Sequence, residues 1–410
     1  MRALILSYHY LPENVPSALR MQYFQKYLPE SGIGCRILSS SVTPWHEDPP
    51  DLPPSRDAIR TPAGGLHRGI LRTGNRLASL ATRYLGFSDY GASWRPYAIA
   101  SAGEILREAP DTILFSSSPP LVAHRAAMQL KRRFGARWIA DFQDPAAANP
   151  FTRQGSPGAR WEATLEARIL RHADKVIANT DTAADALRAS YPQWQEKITH
   201  MFNGFDPEES CVPASLPLRT YRVLSHVGSV YGGRHPGILL AGLAHLIACG
   251  KLDPSRFKIA CIGPLDEASM PDPALWQSLV AKGCIEIDRR YLPRQEALER
   301  ASASDFLLLL DVNSLGTSLQ VPSKLYDYLR IGRPILALTV RGSPVERILA
   351  RGGVPYRCIY YRDASAEEAG AALLSLMGLD TSPVTASAWF WSEFDARNQT
   401  RTLAELMRSL

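Results

Sequence analysis

Lys324 falls in the first turn of a predicted short helix, where the backbone macrodipole already favours an anion over a cation. A lysine there has a use if a phosphate sits between its ammonium and the helix N–H groups. Asp327 lies one turn on, on the same face, where a carboxylate can accept hydrogen bonds from ribose hydroxyls. The plainer alternative is an exposed i,i+3 ion pair between the two, worth about 0.3 kcal/mol. A second cluster is His226-Val-Gly-Ser-Val-Tyr-Gly-Gly-Arg-His-Pro236. Its three glycines allow close backbone approach to a ligand, and Arg234 adds a fixed charge beside it. A tight strand-to-helix turn is the structural alternative. With Lys324 added, the N–H groups of Gly228 and Ser229 and the charge of Arg234 can hold a diphosphate. No Gly-Lys-[Ser/Thr] follows, so this is not a Walker A loop.

Three further residues stand at predicted strand ends. His9 follows the first strand, either facing a ligand or hydrogen-bonded as a structural residue. Asp141 and Asp144 close a later strand, Asp141 reading as structural and Asp144 as the functional candidate.

The elements that must position these residues recur as short apolar runs between helical stretches. They are Ala3–Ser7, Cys35–Ser39, Thr112–Ser116, Arg137–Asp141, Lys175–Asn179 and Lys197–Met201, then Arg222–Val227, Lys258–Ile262, Ile285–Asp288, Phe306–Leu310, Ile335–Leu338 and Arg357–Tyr361. Most are continuous and not alternating, as in strands buried on both faces of a parallel sheet. Two successive βαβα sets predict an α/β chain of two Rossmann-like domains, with ligands at the strand carboxyl ends in the cleft between them. The expected division is 1–205, a linker at 206–220, a second domain at 221–388, and a final helix over 389–410. Ser323 can cap the helix that carries Lys324, Leu325, Tyr328 and Leu329 give it an apolar stripe, and Gly332 with Pro334 ends it. The stretch 44–62, rich in Pro and Asp, reads as a loop.

At 410 residues the chain is too long for one ordinary core. Six scattered cysteines and nine dispersed histidines show no metal-ligand spacing, so no metal and no disulfide framework is expected. The start reads as a first strand and not as a signal peptide, and no run approaches the length of a transmembrane helix. The net charge of +6 suits nucleotides, nucleic acid or an anionic membrane. Nucleic acid is disfavoured, because the basic residues are not interleaved with aromatics. Residues 67–86 place Arg68, Arg72 and Arg76 on one helical face and Leu77, Leu80, Tyr84 and Leu85 on the other. Such a helix either packs on its own core or lies on anionic lipid.

Taken in order, these segments resemble the GT-B-fold glycosyltransferases, specifically the retaining family-4-like group that makes bacterial polysaccharides and glycoconjugates. The likeness is carried by the 226–234 turn, Ala303-Ser-Asp-Phe-Leu-Leu-Leu-Leu310, Val321-Pro-Ser-Lys-Leu-Tyr-Asp-Tyr-Leu329 and Gly332-Arg-Pro-Ile-Leu336. In the first half it is carried by Tyr10-Leu-Pro with Arg20, Ser116-Ser-Ser-Pro-Pro120, Ala173-Asp-Lys-Val-Ile-Ala-Asn-Thr180 and Asn203-Gly-Phe-Asp206. Trp138-Ile-Ala-Asp-Phe-Gln-Asp-Pro145 is similar to the group's Asp-Phe-Arg-Asp-Pro motif.

The resemblance implies that Gly228, Ser229, Arg234, Ser323 and Lys324 hold a donor diphosphate and that Asp327 binds its ribose. Arg290, Tyr291 and Leu292 then meet the base, and His9, Arg20, Gln143 and Asp144 serve the acceptor side. It implies catalytic work for Asp144, Arg234 and Lys324, a C-terminal helix crossing back to the first domain, and no cofactor. Two positions depart from the group's pattern. The first of its paired glutamates falls on Leu319, so that loop meets the donor sugar differently or through backbone groups. Gln143 stands where relatives carry Arg or His, so cationic help there must come from Arg20 or another basic residue.

The implied activity is metal-independent transfer of a sugar, with retention, from a nucleotide diphosphate sugar to a glycan, lipid-linked or small-molecule hydroxyl. The implied setting is cytoplasmic, with residues 67–86 as the segment for peripheral contact at the inner membrane face. The rival readings are a nucleotide-sugar 2-epimerase on the same fold and a non-catalytic binding protein that kept it.

Overall fold

The computed structural model describes residues 1–11, 13, 15–41, 58–62, 91–147, 155–211, 215–231, 234–311 and 319–410. The chain divides into two compact units, Met1–Asp206 with Ala396–Leu410, and Pro207–Asp395.

The first unit is built on a parallel sheet. Its strands are β1 (Arg2–Ser7), β2 (Gly34–Ser40), β3 (Ala58–Thr61), β4 (Ile113–Ser118), β5 (Trp138–Phe142), β6 (Lys175–Ala178) and β7 (Ile198–His200). They run in the order β3-β2-β1-β4-β5-β6-β7. Leu4 pairs with Arg36 on one side and Leu114 on the other, so β1 and β4 are neighbours from which the chain winds in opposite directions. β1 and β4 are almost wholly buried, which is why both read as unbroken apolar or small-residue runs. β3 lies within 44–62, where composition predicts a loop. Only four residues long and at the sheet edge, it has one partner strand and no periodic signature.

The second unit repeats the plan with β8 (Arg222–Val227), β9 (Phe257–Ile262), β10 (Ile285–Asp288), β11 (Phe306–Leu310), β12 (Ile335–Thr339) and β13 (Tyr356–Tyr360). The order is β10-β9-β8-β11-β12-β13, again all parallel, and β8 and β11 flank the reversal. One core joins Leu224, Ile259, Phe306 and Leu336 to the helices Gly237–Ala248 and Ala366–Met377. Those two helices meet at Gly242, where an added Cβ would lie 2.6 Å from the Gly370 nitrogen, so the contact tolerates no side chain.

The connections depart from the expected boundaries. Asp206 closes the first unit, accepting 2.7 Å from Lys26 Nζ and also from the Tyr27 hydroxyl. The segment that follows is anchored in the second unit, where Glu209 pairs with Arg294 and Arg330 and Arg219 donates 2.7 Å to the Ala303 carbonyl. At the other end the sequence suggested one helix over 389–410. Instead helix Ala388–Phe394 stays in the second unit with Phe390 and Phe394 buried, and Asp395 takes an extended conformation that breaks it. Helix Ala396–Arg408 then joins the first unit and packs Leu403, Ala404 and Met407 against Met21 and Phe24 of helix Pro16–Tyr27. Among the described residues, no helix is long and apolar enough to cross a membrane.

Candidate functional site

In an open parallel sheet the reversal of strand order leaves a crevice at the carboxyl ends of the two flanking strands. In the second unit that point lies beyond Val227 and Leu310. Val227 donates its N–H to the Tyr328 hydroxyl at 3.1 Å, which ties the end of β8 to helix Lys324–Ile331. Gly228 follows with φ 130°, and a Cβ built there would lie 2.0 Å from Cε and 2.5 Å from Nζ of Lys324. Glycine is therefore required twice over, once by the backbone and once because the lysine side chain crosses the space a methyl group would fill.

Lys324 is half-buried and, among the described residues, makes no hydrogen bond and forms no ion pair. Burial, and then the nearby Arg234 guanidinium, draw its pKa down to about 8. Arg234 is held by a bridge to Tyr231, stacks 5.6 Å over that ring and donates 2.9 Å to its hydroxyl. Its Nε is buried without an acceptor. Two cations thus share a field at one strand end, and neither pairs with a carboxylate. Beneath them His226 is buried with Nδ1 2.9 Å from the Leu308 carbonyl, and desolvation pushes its pKa down to about 3. The imidazole is therefore neutral and donates from Nδ1.

Ser323 does not cap this helix as expected. Its own backbone is already helical, so the side chain cannot turn back onto the first N–H groups. The start is closed by backbone bonds from Leu325 to Pro322 (2.9 Å) and Tyr326 to Ser323 (3.2 Å), and the amides of Ser323 and Lys324 have no partner among the described residues. Ser229 is half-buried just beyond Gly228.

Asp327 is likewise engaged, and not with Lys324 as the ion-pair alternative had it. Arg294 donates to both its oxygens at 2.9 and 3.3 Å, and Arg330 lies 3.7 Å away. Both arginines also hold Glu209, at 2.6 and 2.9 Å, so two cations and two anions form one network. Arg290 pairs with Asp288 at 2.6 Å on the surface, Tyr291 is half-buried and Leu292 is buried, all just beyond the edge strand β10.

The first unit has its own reversal, between β1 and β4. Asp141 is wholly buried at the end of β5, where Arg20 grips it with Nη2 at 3.0 Å and Nε at 3.3 Å. The remaining Arg20 nitrogen donates to the Phe202 carbonyl at 2.7 Å and to Asn203 Oδ1 at 3.3 Å. Arg20 is therefore a buried structural cation and not the free acceptor-side charge that the sequence suggested; closing on an aspartate 121 positions away consumes it. Ser117 donates to Asp141 at 2.8 Å and accepts from Gln143 Nε2 at 2.8 Å. The neutral amide at position 143 fits this chain, since it reaches a hydroxyl already oriented by the carboxylate.

Asp144 is half-buried in the bend after β5. The next turn is pinned by Glu166, whose Oε2 accepts from the amides of Ala146 (3.1 Å) and Ala147 (3.0 Å). His9 is buried against Glu13, a partner four residues on that makes the histidine one half of a local pair.

A third buried chain was not foreseen. Trp138 Nε1 donates to Ser116 Oγ at 2.7 Å, and Ser116 lies 2.7 Å from His124 Nδ1. His124 Nε2 lies 2.9 Å from Ser118 Oγ, and burial lowers the His124 pKa to about 3. A neutral ring has one N–H, so one of its nitrogens donates to a serine hydroxyl and the other accepts from one. The triplet Ser116-Ser-Ser118 was the available signal, and only the fold brings His124 and Trp138 to it.

The basic helix expected over 67–86 and the loop 312–318 lie outside the described residues, and Leu319 is half-buried at the loop's end. Residues 23–209, most of the first unit, match the family Glycosyltransferase Family 4. No curated protein matches the sequence. Among solved structures the chain is similar to HepE of Anabaena in complex with UDP, at 14% identity and TM-score 0.65 over 100% of both chains. It is similar to OtsA, a trehalose-6-phosphate synthase, at 12% identity and TM-score 0.65, covering 100% of this chain and 99% of that one. The lipopolysaccharide outer core galactosyltransferase WaaB in its apo form aligns at 12% identity and TM-score 0.61 over 100% of both. Two parallel α/β units in one chain and this agreement with solved structures give the chain the GT-B fold, and over residues 23–209 it is similar to Glycosyltransferase Family 4.

Proposed function

We propose that the chain is a glycosyltransferase that takes its sugar from a nucleoside diphosphate donor bound at the β8–β11 reversal and passes it, with retention, to a hydroxyl of a glycan, lipid-linked or small acceptor. The carrying observation is that Lys324 and Arg234 converge on the end of β8 without a carboxylate partner. Such a pair stabilises a departing diphosphate, supplying the charge that a divalent cation supplies in other enzymes. The amides of Ser323, Lys324 and Ser229 add N–H groups at the same strand end, whereas the Gly228 N–H, expected to hold the diphosphate as well, is taken by the Ile262 carbonyl at 2.6 Å. Asp327, oriented by Arg294, keeps lone pairs for ribose hydroxyls, and Arg290, Tyr291 and Leu292 lie at the same sheet end for the base. On the acceptor side Asp144 orients the incoming hydroxyl, with Gln143 beside it in sequence and His9, just after β1, as the other acceptor-side residue. HepE in its complex with UDP makes uridine the first base to examine.

The test is a melting series with UDP, GDP, ADP and dTDP, followed by incubation of the matching nucleotide sugars with acceptor extracts. A nucleotide at about a hundred times its Kd adds about 2.7 kcal/mol to the state that binds it, a rise of several degrees. Transfer of label to an acceptor is expected; isomerised nucleotide sugar, or binding without turnover, would replace this reading by one of its rivals. Gly228→Ala is expected to weaken nucleoside diphosphate binding about tenfold by displacing the Lys324 ammonium, and to lower the melting temperature as well, since alanine is strained at φ 130° even after that side chain swings aside. Calorimetry showing wild-type affinity would mean that the lysine's position over the turn is immaterial.

A further inference from the structure

Four charged side chains of the second unit meet at one point. Arg294 opens helix Arg294–Ser302, while Asp327 and Arg330 stand one turn apart on helix Lys324–Ile331. Glu209 comes from neither helix; it lies in the irregular segment that begins the second unit. Arg294 divides its guanidinium between the two carboxylates. Its Nε and Nη2 edge forks onto Glu209 at 2.6 and 2.7 Å, and its Nη1 and Nη2 edge meets Asp327 at 3.3 and 2.9 Å. Arg330 is buried and turned the other way. Its Nη1 donates to the Glu209 carboxylate at 2.9 Å and its Nη2 to the Glu209 carbonyl, while Asp327 is 3.7 Å off, beyond hydrogen-bond reach. Burial opposes the charge of Glu209, but Arg294 and then Arg330 outweigh it and hold its carboxyl below the usual range.

This division decides what Asp327 can still do. Two carboxylate oxygens offer about four lone-pair directions. Arg294 takes one on each oxygen, so one on each remains, a pattern that suits two adjacent hydroxyls. Without an anion at position 209, both guanidinium groups have a single carboxylate to share, and both turn onto Asp327. Its remaining lone pairs are then spent inside the protein, and its plane is no longer set by a guanidinium gripped from behind.

We infer that Glu209 is a positioning residue for the donor's ribose. By engaging Arg330 and the outer edge of Arg294, it keeps Asp327 open to a vicinal diol, so that the site selects ribonucleoside over 2′-deoxyribonucleoside diphosphates. The inference rests on the donor site proposed above and deepens it. The plainer alternative is that Glu209 only ties down the segment that follows Asp206.

Calorimetry on the full chain compares UDP, GDP and ADP with their 2′-deoxy counterparts and with inorganic diphosphate. It is run on the wild type and on Glu209→Gln, which keeps the shape and removes the charge. The wild type is expected to prefer the ribose form of whichever nucleotide it binds by about tenfold or more, the worth of a hydrogen bond to a charged group. In Glu209→Gln the ribose form should weaken more than the 2′-deoxy form, bringing the preference below about threefold, with diphosphate binding unchanged. Glu209→Asp, which restores the charge one methylene short, should recover part of the preference, and it carries the comparison alone should Glu209→Gln fail to fold. A wild-type preference in the variants overturns the inference. So does a loss that weakens every ligand alike, diphosphate included, since that is what a merely tethering residue would give. Nucleotide binding that needs Lys324 but shows no ribose preference in the wild type strikes this inference alone. Failure of every nucleotide to bind strikes the donor reading, and this inference with it.

Discussion

Replacing Lys324 by alanine is expected to lower transfer by about 10²-fold or more while leaving the protein folded. The ammonium lies across Gly228 without an ion-pair partner, so burying it opposes folding of the empty protein. Removing it should therefore leave the melting temperature of the ligand-free protein unchanged or slightly raised. The sign of the pH dependence follows from the same observation. With its pKa drawn down to about 8, Lys324 is charged below that value and loses its charge above it, well before an ordinary lysine would. Nucleoside diphosphate affinity should accordingly fall as pH rises through about 8, and the Lys324→Ala protein should bind weakly with that slope abolished. Calorimetry at a series of pH values decides the matter. A variant that keeps both wild-type turnover and the wild-type slope would place the phosphate elsewhere.

Leu403→Ala is expected to cost the first unit about 2–5 kcal/mol, and Leu403→Asp to unfold it. The residue is fully buried against helix Pro16–Tyr27, although it lies within eight residues of the end of the chain. Since the chain forms two compact units, denaturant unfolding should resolve two transitions, and only that of the first unit should move. A nucleoside diphosphate should still stabilise the other. If the substitution shifted the nucleotide-stabilised transition instead, helix Ala396–Arg408 would not be working as part of the first core.

The regular part of this architecture was legible because it is written in local periodicity. Continuous runs such as Phe306–Leu310 and Ile335–Leu338 can be little else than strands buried on both faces, and β11 and β12 lie where those runs lie. Lys324 was legible for a different reason, as a charge in a place that a helix disfavours. The sequence could not show which charges neutralise one another. Asp327 is matched by Arg294, 33 positions away, and the Glu209 it shares with Arg330 is 121 positions from that arginine. Arg20 and Asp141 are as far apart, and such partners meet only when the sheet is assembled. Ser323 failed as a cap for a still smaller reason, a single backbone conformation.

Residues 1–206 and 396–410 belong to the same unit, and this ordering matters while the protein is being made. On the ribosome, domains ordinarily fold in the order of their synthesis. Here the first unit waits for helix Ala396–Arg408, because Leu403, Ala404 and Met407 complete its core only after the whole of Pro207–Asp395 has emerged. The inserted unit is thus the first to be complete, and the nascent first unit presents an open apolar groove along helix Pro16–Tyr27 until residues 396–410 have been made. A premature stop near residue 395 would then yield a chain whose newest part is sound and whose oldest part is unfinished, marking it for chaperones at the end opposite the lesion.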